Sequence, residues 1–284
     1  MREIVVLSGK GGTGKTTLTG FFAGLGHEAV LADVDVDAAN LHILLDPRVV
    51  ETEPFVGSRQ PVIDPEQCTG CGLCTELCRF GAIDRGRVDE IACEGCAVCF
   101  HACPAKAIRM EDVISGQVYT GDTRYGPFVY AKLGVAKENS GKLVVRVKQR
   151  AREVAARENK PLLVVDGAPG IGCPVIASLG GADLVLLVTE PTAAGFHDLE
   201  RALGLTRHFR VPAAVCVNKA DLDEEMTAAI EDHCRVVGVD FAGRIPFDHA
   251  VVRSLVARKP VAADDSTEAA RAMRAVWQRT LALL

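Results

Sequence analysis

The stretch E-I-V-V-L-S-G-K-G-G-T-G-K-T-T occupies residues 3–17. Its first part, 3–8, is a short, largely apolar run that ends at a glycine, which is typical of a buried parallel strand. Gly9 to Thr17 then follow the pattern G-x4-G-K-[ST], in which backbone N–H groups enclose phosphate oxygens between a strand and a helix. The stretch therefore predicts a strand, a phosphate-binding loop and a helix, in that order.

All nine residues of this loop are predicted to contact a nucleotide: Gly9, Lys10, Gly11, Gly12, Thr13, Gly14, Lys15, Thr16 and Thr17. Lys15 would reach the β- and γ-phosphates, and the Thr16 hydroxyl would bind Mg²⁺. A glycine-rich turn without a ligand is the alternative.

Four more apolar runs, at 28–33, 162–166, 184–189 and 213–217, resemble buried strands. Stretches compatible with helices alternate with several of the runs: 15–25, 142–158, 197–209 and 222–235. This alternation predicts an α/β fold with a doubly wound, mostly parallel sheet. The length of 284 residues allows one such domain and a small module.

The net charge of −5 gives no strong basic field, so we expect no nucleic-acid partner. The first residues show no signal-peptide pattern, and no apolar stretch is long enough to span a bilayer. We therefore expect a cytoplasmic protein with reduced thiols and no membrane partner. The amphipathic stretch 267–284 could bind a membrane surface, but docking on its own domain is the favoured interpretation.

Eight of the 11 cysteines lie between Cys68 and Cys103, in two C-x2-C-x2-C-x3-C runs 25 positions apart. Clustered cysteines in a reducing compartment indicate metal ligands rather than disulfides. Since the strand pattern stops before this duplication and resumes after it, we predict a module at 61–110 inserted into a domain formed by 1–60 and 111–284.

Lys10 is an additional lysine early in the phosphate-binding loop. With it the sequence resembles the deviant Walker-A ATPases, the MinD/ParA superfamily that also includes the nitrogenase iron protein. The resemblance implies binding of ATP and Mg²⁺ in an ATP-dependent sandwich homodimer, in which Lys10 reaches the partner's nucleotide. A local phosphate contact or a solvated side chain is the alternative for Lys10.

The segment 33–37 reads D-V-D-V-D, and alternation predicts that its three carboxylates converge on a cation. The run 162–166 ends at Asp166 before a glycine-rich turn. The resemblance implies that Asp35 activates the attacking water, that Asp37 lies near Mg²⁺, that Asp166 holds an Mg²⁺-bound water, and that the Gly170 backbone senses the γ-phosphate. A solvated acidic turn is the alternative for 33–37.

Asn218, Lys219 and Asp221 follow another predicted strand and spell N-K-x-D, the guanine-recognition motif of GTPases. In MinD-like ATPases the asparagine at this place contacts adenine instead. The Lys10-type loop favours ATP over GTP.

The duplicated cysteine runs resemble the bacterial two-cluster ferredoxin, in which the fourth cysteine of each run serves the other cluster. The resemblance implies one 4Fe–4S cluster on Cys68, Cys71, Cys74 and Cys103, and a second on Cys93, Cys96, Cys99 and Cys78. Zinc is the alternative metal. Arg79 stands where the family has a proline after Cys78.

The three isolated cysteines, Cys173, Cys216 and Cys234, are outside the module. Cys216 is predicted to be a buried hydrophobe. Cys173 lies at about the offset of a cluster-bridging cysteine in the nitrogenase iron protein, but packing is the favoured interpretation.

These patterns together predict an ATP-hydrolysing dimeric switch that controls electron transfer through two 4Fe–4S clusters and has a redox or scaffold protein as partner. A positioning ATPase of the MinD/ParA kind with structural clusters is one alternative. An iron–sulfur carrier like the Mrp proteins is another, and the absence of a C-x-x-C after Cys103 counts against it.

Overall fold

A computed structural model describes residues 1–26, 28–134, 140–261 and 266–284. Its strands are β1 Arg2–Ser8, β2 Ala29–Asp33, β3 Arg48–Ile63, β4 Ile83–Asp84, β5 Arg87–Val88, β6 Ile108–Thr123, β7 Gly126–Leu133, β8 Leu162–Pro169, β9 Leu184–Thr189, β10 Ala213–Asn218 and β11 Asp240–Ile245. Its α-helices are α1 Lys15–Gly24, α2 Leu41–Leu45, α3 Leu73–Glu76, α4 Val98–Ala102, α5 Ser140–Arg157, α6 Cys173–Leu179, α7 Ala193–His208, α8 Glu224–Val236, α9 His249–Val256 and α10 Glu268–Ala282.

The chain divides into two compact units. The first contains Met1–Thr52, Val118–Lys132 and Ser140–Leu284, and the second contains Glu53–Gln117 and Leu133–Asn139. The cysteine-rich segment predicted at 61–110 lies inside the second unit, whose boundaries are wider than the predicted ones.

The main sheet has the strand order β11-β10-β9-β1-β8-β2-β7-β6-β3, and the first unit contains all of β11, β10, β9, β1, β8 and β2. β1 lies between β8 and β9 and is parallel to both, and β2 is parallel to β8 and to β7. Because the five predicted strands are parallel, their carboxyl ends lie along one edge, where ligands bind in open α/β sheets. The prediction of a mostly parallel α/β sheet is confirmed.

Residues that sequence periodicity assigned to strands are almost entirely buried in this sheet. Ile4, Val5 and Val6 of β1 have no exposed surface, and neither do Val185 and Leu186 of β9. Such continuous burial explains why these strands read as uninterrupted apolar runs rather than as alternating ones.

The C-terminal helix α10 packs on the first unit. Trp277 and Met273 are buried, and the Trp277 ring stacks on Phe22 of α1 at 4.4 Å between centroids. The expectation that 267–284 docks on its own domain is confirmed. No helix within the described ranges combines the length and the apolar character that crossing a membrane requires.

Candidate functional site

The phosphate-binding loop connects the buried strand β1 to helix α1. Gly12 and Gly14 have φ angles of 83° and 94°, a left-handed conformation that favours glycine. A Cβ on Gly11 or Gly12 would meet no atom within 4 Å, so this side of the loop faces open space. The loop therefore exposes its backbone at the first turn of α1, where N–H groups are free to bind an anion.

A cavity of about 500 Å³ opens beside this loop. Its lining includes the predicted contact residues Gly11, Gly12, Gly14, Lys15, Thr16, Thr17 and Asp35. The structure thus brings the phosphate-binding loop and the predicted water-activating carboxylate to one cavity. Lys15 is buried, with 6% of its surface exposed, so its ammonium group adds positive charge at a site shielded from solvent.

Asp166, at the end of the predicted strand, is buried behind this cavity. Its Oδ1 lies 3.4 Å from the Thr19 hydroxyl, and its Oδ2 is buried without a hydrogen-bond partner among the described residues. Burial raises the pKa of Asp166 to about 6, against the opposing Lys15 charge and a hydrogen bond from Thr16. An unpaired buried carboxylate oxygen beside a threonine hydroxyl fits a site for an Mg²⁺-bound water.

The three aspartates of 33–37 do not converge as alternation predicted. β2 ends at Asp33, so the extended geometry stops before the other two carboxylates. The buried Asp33 carboxylate accepts N–H bonds from Asp35, Asn40 and Leu41 at 3.0–3.1 Å and holds this loop together. Burial, followed by the Asp166 charge, raises the pKa of Asp33 well above its usual value.

Asp35 lines the cavity of about 500 Å³ beside the loop, whereas Asp37 is exposed. Burial raises the pKa of Asp35; Lys15 opposes this effect and Asp37 adds to it. A raised pKa is the property expected of a carboxylate that accepts a proton near neutral pH.

Gly170 follows β8 with a φ of 91°, but its N–H donates to the Ser8 carbonyl at 2.9 Å. In this conformation the Gly170 N–H is already hydrogen-bonded to β1, the strand that leads into the phosphate-binding loop. Sensing of a γ-phosphate by Gly170 stays a prediction, and it requires this bond to break.

A second cavity, of about 210 Å³, also adjoins the loop. Gly12, Gly14, Asn218 and Lys219 line it together with apolar residues from 245–255. The Asn218 amide donates to the Thr13 carbonyl at 2.8 Å, so this motif is tied directly to the phosphate-binding loop. The Thr13 hydroxyl is buried without a partner among the described residues.

Asp221 contacts the segment that forms the apolar wall of this cavity. Its Oδ1 accepts the Phe247 N–H at 2.6 Å and so fixes that segment. This contact uses one of the two carboxylate oxygens, and a base-reading role for Asp221 stays a prediction.

Glu190 is a residue that the sequence analysis missed. It lies between Lys10 and Lys219, with distances of 3.3 Å from Lys10 Nζ to Oε2 and 2.5 Å from Lys219 Nζ to Oε1. The signal that could have found it is an acidic residue directly after β9, which is the strand next to β1.

The second unit contains the eight clustered cysteines in two structural repeats. Cys68 N–H and Cys93 N–H donate to the carbonyls of Asp64 and Asp89, and Cys78 Sγ and Cys103 Sγ each accept a backbone N–H at 3.4 Å. The offset of 25 positions relates each of these contacts to its counterpart, so the sequence duplication is also a duplication of local geometry.

The two repeats exchange backbone hydrogen bonds. Asp64 N–H donates to Ala107 O at 2.8 Å, and Asp89 N–H donates to Ala82 O at 2.7 Å. Each repeat thus completes the other around a small core that includes Ile83, Cys99 and Ile108.

Four cysteines from both repeats line one cavity of this unit: Cys78, Cys93, Cys96 and Cys99. They are the four residues that the resemblance assigned to one cluster. Within the described ranges, however, no three His, Cys, Asp or Glu side chains converge on a point as ligands of a single metal ion.

The isolated cysteines differ from one another. Cys216 and Cys234 are buried, and burial raises the pKa of both thiols, that of Cys234 to about 11. Packing is confirmed for Cys216. It is wrong for Cys173, which is exposed at the start of α6.

Comparison with known proteins identifies the family of this chain. An uncharacterized protein of Methanocaldococcus jannaschii is 29% identical over 280 residues, covering 98% of this chain and 95% of its own. The MinC:MinD cell division complex of Aquifex aeolicus superposes with a TM-score of 0.60 at 19% identity, covering 99% of this chain and 96% of that one. MinD from Pyrococcus horikoshii, complexed with Mg-ADP, superposes with a TM-score of 0.58 at 15% identity. This match covers 97% of this chain and 93% of that one.

The structural matches show a shared fold of the MinD type. The sequence profile of the CobQ/CobB/MinD/ParA nucleotide-binding domain matches residues 4–261, which is most of the chain. This protein therefore belongs to the CobQ/CobB/MinD/ParA family of P-loop nucleotide-binding ATPases.

Proposed function

We propose that this protein is an ATP-hydrolysing switch that closes as a homodimer on ATP and Mg²⁺. The observation that carries the proposal is the buried, unpaired Asp166 Oδ2 beside Lys15 and Thr16, at a cavity large enough for a nucleoside triphosphate. Lys15 and Mg²⁺ would neutralise the phosphate charge, and Asp35 would orient the attacking water.

The test is ATP turnover by the wild type and by Lys15→Ala, with nucleotide-dependent dimerisation followed by sedimentation. We expect turnover to be lost in Lys15→Ala while the folded state and the second unit remain intact. Lys142→Ala is a matched control, because this lysine lies on α5 outside both cavities. Turnover in Lys15→Ala equal to that of the wild type would remove the proposal.

Comparison favours a positioning role over electron transfer for such a switch. The solved structures described above are a MinC:MinD cell division protein complex and a septum site-determining protein MinD. A MinD-like role requires a partner protein that binds one nucleotide state. Pull-down with the protein held in ATP, and again in ADP, would test for such a partner.

A redox role is the second proposal, and it depends on the cysteine geometry of the second unit. Cys78, Cys93, Cys96 and Cys99 surround one cavity and come from both repeats. A 4Fe–4S cubane is bound at four separate irons, so its thiolates enclose a volume rather than converge on one ion. The shared cavity supports a cluster on these four cysteines, and from the sequence repeat we infer a second one on Cys68, Cys71, Cys74 and Cys103.

Such clusters supply one-electron transfer when bound. The chain itself contributes backbone N–H donors to Cys78 Sγ and Cys103 Sγ, which stabilise negative charge on the sulfurs. EPR of the anaerobically reconstituted, dithionite-reduced protein tests whether clusters are present. Spectra recorded with and without ATP and Mg²⁺ test whether nucleotide changes the surroundings of the clusters. A spectrum that nucleotide does not change would favour structural clusters, and a protein that takes up no iron would exclude the redox role.

A further inference from the structure

The Glu190 carboxylate lies between two lysines of the nucleotide site. Its two oxygens are used separately: Oε2 is 3.3 Å from Lys10 Nζ, and Oε1 is 2.5 Å from Lys219 Nζ. Only 15% of the Glu190 side chain is exposed, while about a third of each lysine side chain is accessible. The carboxylate is thus the more shielded partner of both pairs.

The backbone around Glu190 is fixed by a network of hydrogen bonds. Thr192 N–H donates to the Glu190 carbonyl at 2.8 Å, and the Thr189 hydroxyl donates to the Gly195 carbonyl at 2.9 Å. The Thr192 side chain also caps α7 by accepting the Gly195 N–H at 2.9 Å. The carboxylate therefore has a defined position at the end of β9, and the flexible lysine side chains extend to it.

Both lysines belong to segments that border the nucleotide cavities. Lys10 lies within the phosphate-binding loop, and Lys219 lines the cavity of about 210 Å³ together with Gly12 and Gly14. Lys219 and Lys10 lower the pKa of Glu190, although burial, the largest single influence, opposes them. Glu190 is thus a negative charge next to the place where phosphate oxygens would bind.

We propose that Glu190 is a positioning residue that holds the Lys10 ammonium against β9 until a nucleoside triphosphate competes for it. This inference rests on the proposed function, because it assigns a nucleotide-dependent change to Lys10. A triphosphate carries more negative charge than one carboxylate, so it can displace Glu190 as the partner of Lys10. Glu190 thereby couples release of Lys10 to occupation of the loop.

The experiment measures the dissociation constant of a non-hydrolysable ATP analogue with Mg²⁺, using the full-length chain. Glu190→Gln removes the charge and keeps the size of the side chain. Because a partly exposed ion pair is weak, we expect binding to become about threefold tighter. The gain should disappear in the Lys10→Ala background and persist in the Lys219→Ala background.

Glu200→Gln is the matched control. Glu200 lies on α7, its side chain is 52% exposed, and its ion-pair partner is His233 at 4.0 Å. Removal of its charge should leave nucleotide affinity unchanged. If Glu190→Gln lowers the thermal stability, Glu190→Asp replaces it. A carboxylate one methylene shorter lies farther from both lysines, so its ion pairs are weaker and the gain should be smaller but in the same direction.

The possible results separate this inference from the proposed function. A wild-type protein that binds no nucleoside triphosphate would remove both. A wild-type protein that binds the analogue, with no tightening in Glu190→Gln or Glu190→Asp, would overturn the inference alone. A gain that persists without Lys10 would also overturn it, because the effect would then belong to Lys219 or to the overall charge.

Discussion

The Asn218 side-chain amide donates to the Thr13 carbonyl at 2.8 Å and joins residues 205 positions apart in the sequence. This bond links the end of β10 to the phosphate-binding loop that follows β1. The two cavities beside the loop also share Gly12, Gly14, Thr17 and Leu255, so the segment after β10 and the phosphate-binding loop are directly connected.

Nucleotide choice is the first prediction. Asp221 Oδ1 accepts the Phe247 N–H at 2.6 Å, and we expect this contact to keep the carboxylate from reading a base. In Asp221→Asn the amide oxygen can still accept this bond, so we expect ATP affinity to stay within about twofold of the wild type. Competition between ATP and GTP for a fluorescent analogue measures both affinities. A preference for GTP that the substitution abolishes would show that the carboxylate reads guanine.

The second prediction concerns pH. The pKa of Asp166 rises from an ordinary value of 3.8 to about 6 on folding, chiefly through burial. The folded state therefore retains this proton more strongly than the unfolded state, and its stability falls as pH rises from about 4 to about 6. Asp166→Asn cannot lose this proton, so its stability should not fall in this way. The difference in Tm between the variant and the wild type should therefore increase as pH rises across this range.

Thermal unfolding from pH 4 to pH 7 in the presence of EDTA measures this difference without nucleotide. Asp232→Asn is the control, because Asp232 forms an exposed pair with Arg235 at 2.9 Å. Parallel curves for the wild type and Asp166→Asn would contradict the raised pKa.

The third prediction concerns iron. We expect about eight irons per chain after anaerobic reconstitution and about four in Cys99→Ala, because Cys99 lines the cavity that one predicted cluster would occupy. Cys173→Ala should keep the full amount, since this exposed cysteine is outside the second unit. An equal iron content in Cys99→Ala and Cys173→Ala would show that Cys99 does not bind iron.

The fourth prediction concerns stability. Lys148 and Glu3 are both 2% exposed and lie 2.7 Å apart from Nζ to Oε1, and Lys148 also donates to the Gly180 carbonyl at 2.9 Å. Removal of one buried charge leaves the other uncompensated, so Glu3→Gln should cost about 3–5 kcal/mol of unfolding free energy. Urea unfolding measures this cost. Glu51→Gln, an exposed partner of Arg150, should cost less than about 1 kcal/mol.

The sequence predicted five of the parallel strands, because burial on both faces produces uninterrupted apolar runs. It missed β7 and β11, which are also parallel to their neighbours. It did not predict β3 and β6, where exposed charged residues interrupt the apolar pattern, as Glu51 does in β3. The alternation of side chains along an extended strand also could not predict that the Asp33 carboxylate accepts N–H bonds from the loop that follows it. The strand β2 ends at Asp33, so the alternation does not continue through that loop. Glu190 lies 180 positions from Lys10, so only the fold brings them together.

The exchanged bonds between Asp64 and Ala107 and between Asp89 and Ala82 make the two halves of the second unit interdependent. Each copy of the duplicated segment supplies a backbone donor and a backbone acceptor that its sibling satisfies. A single copy on its own would need a second molecule to fill that place. Neither half can therefore be deleted without leaving the other incomplete.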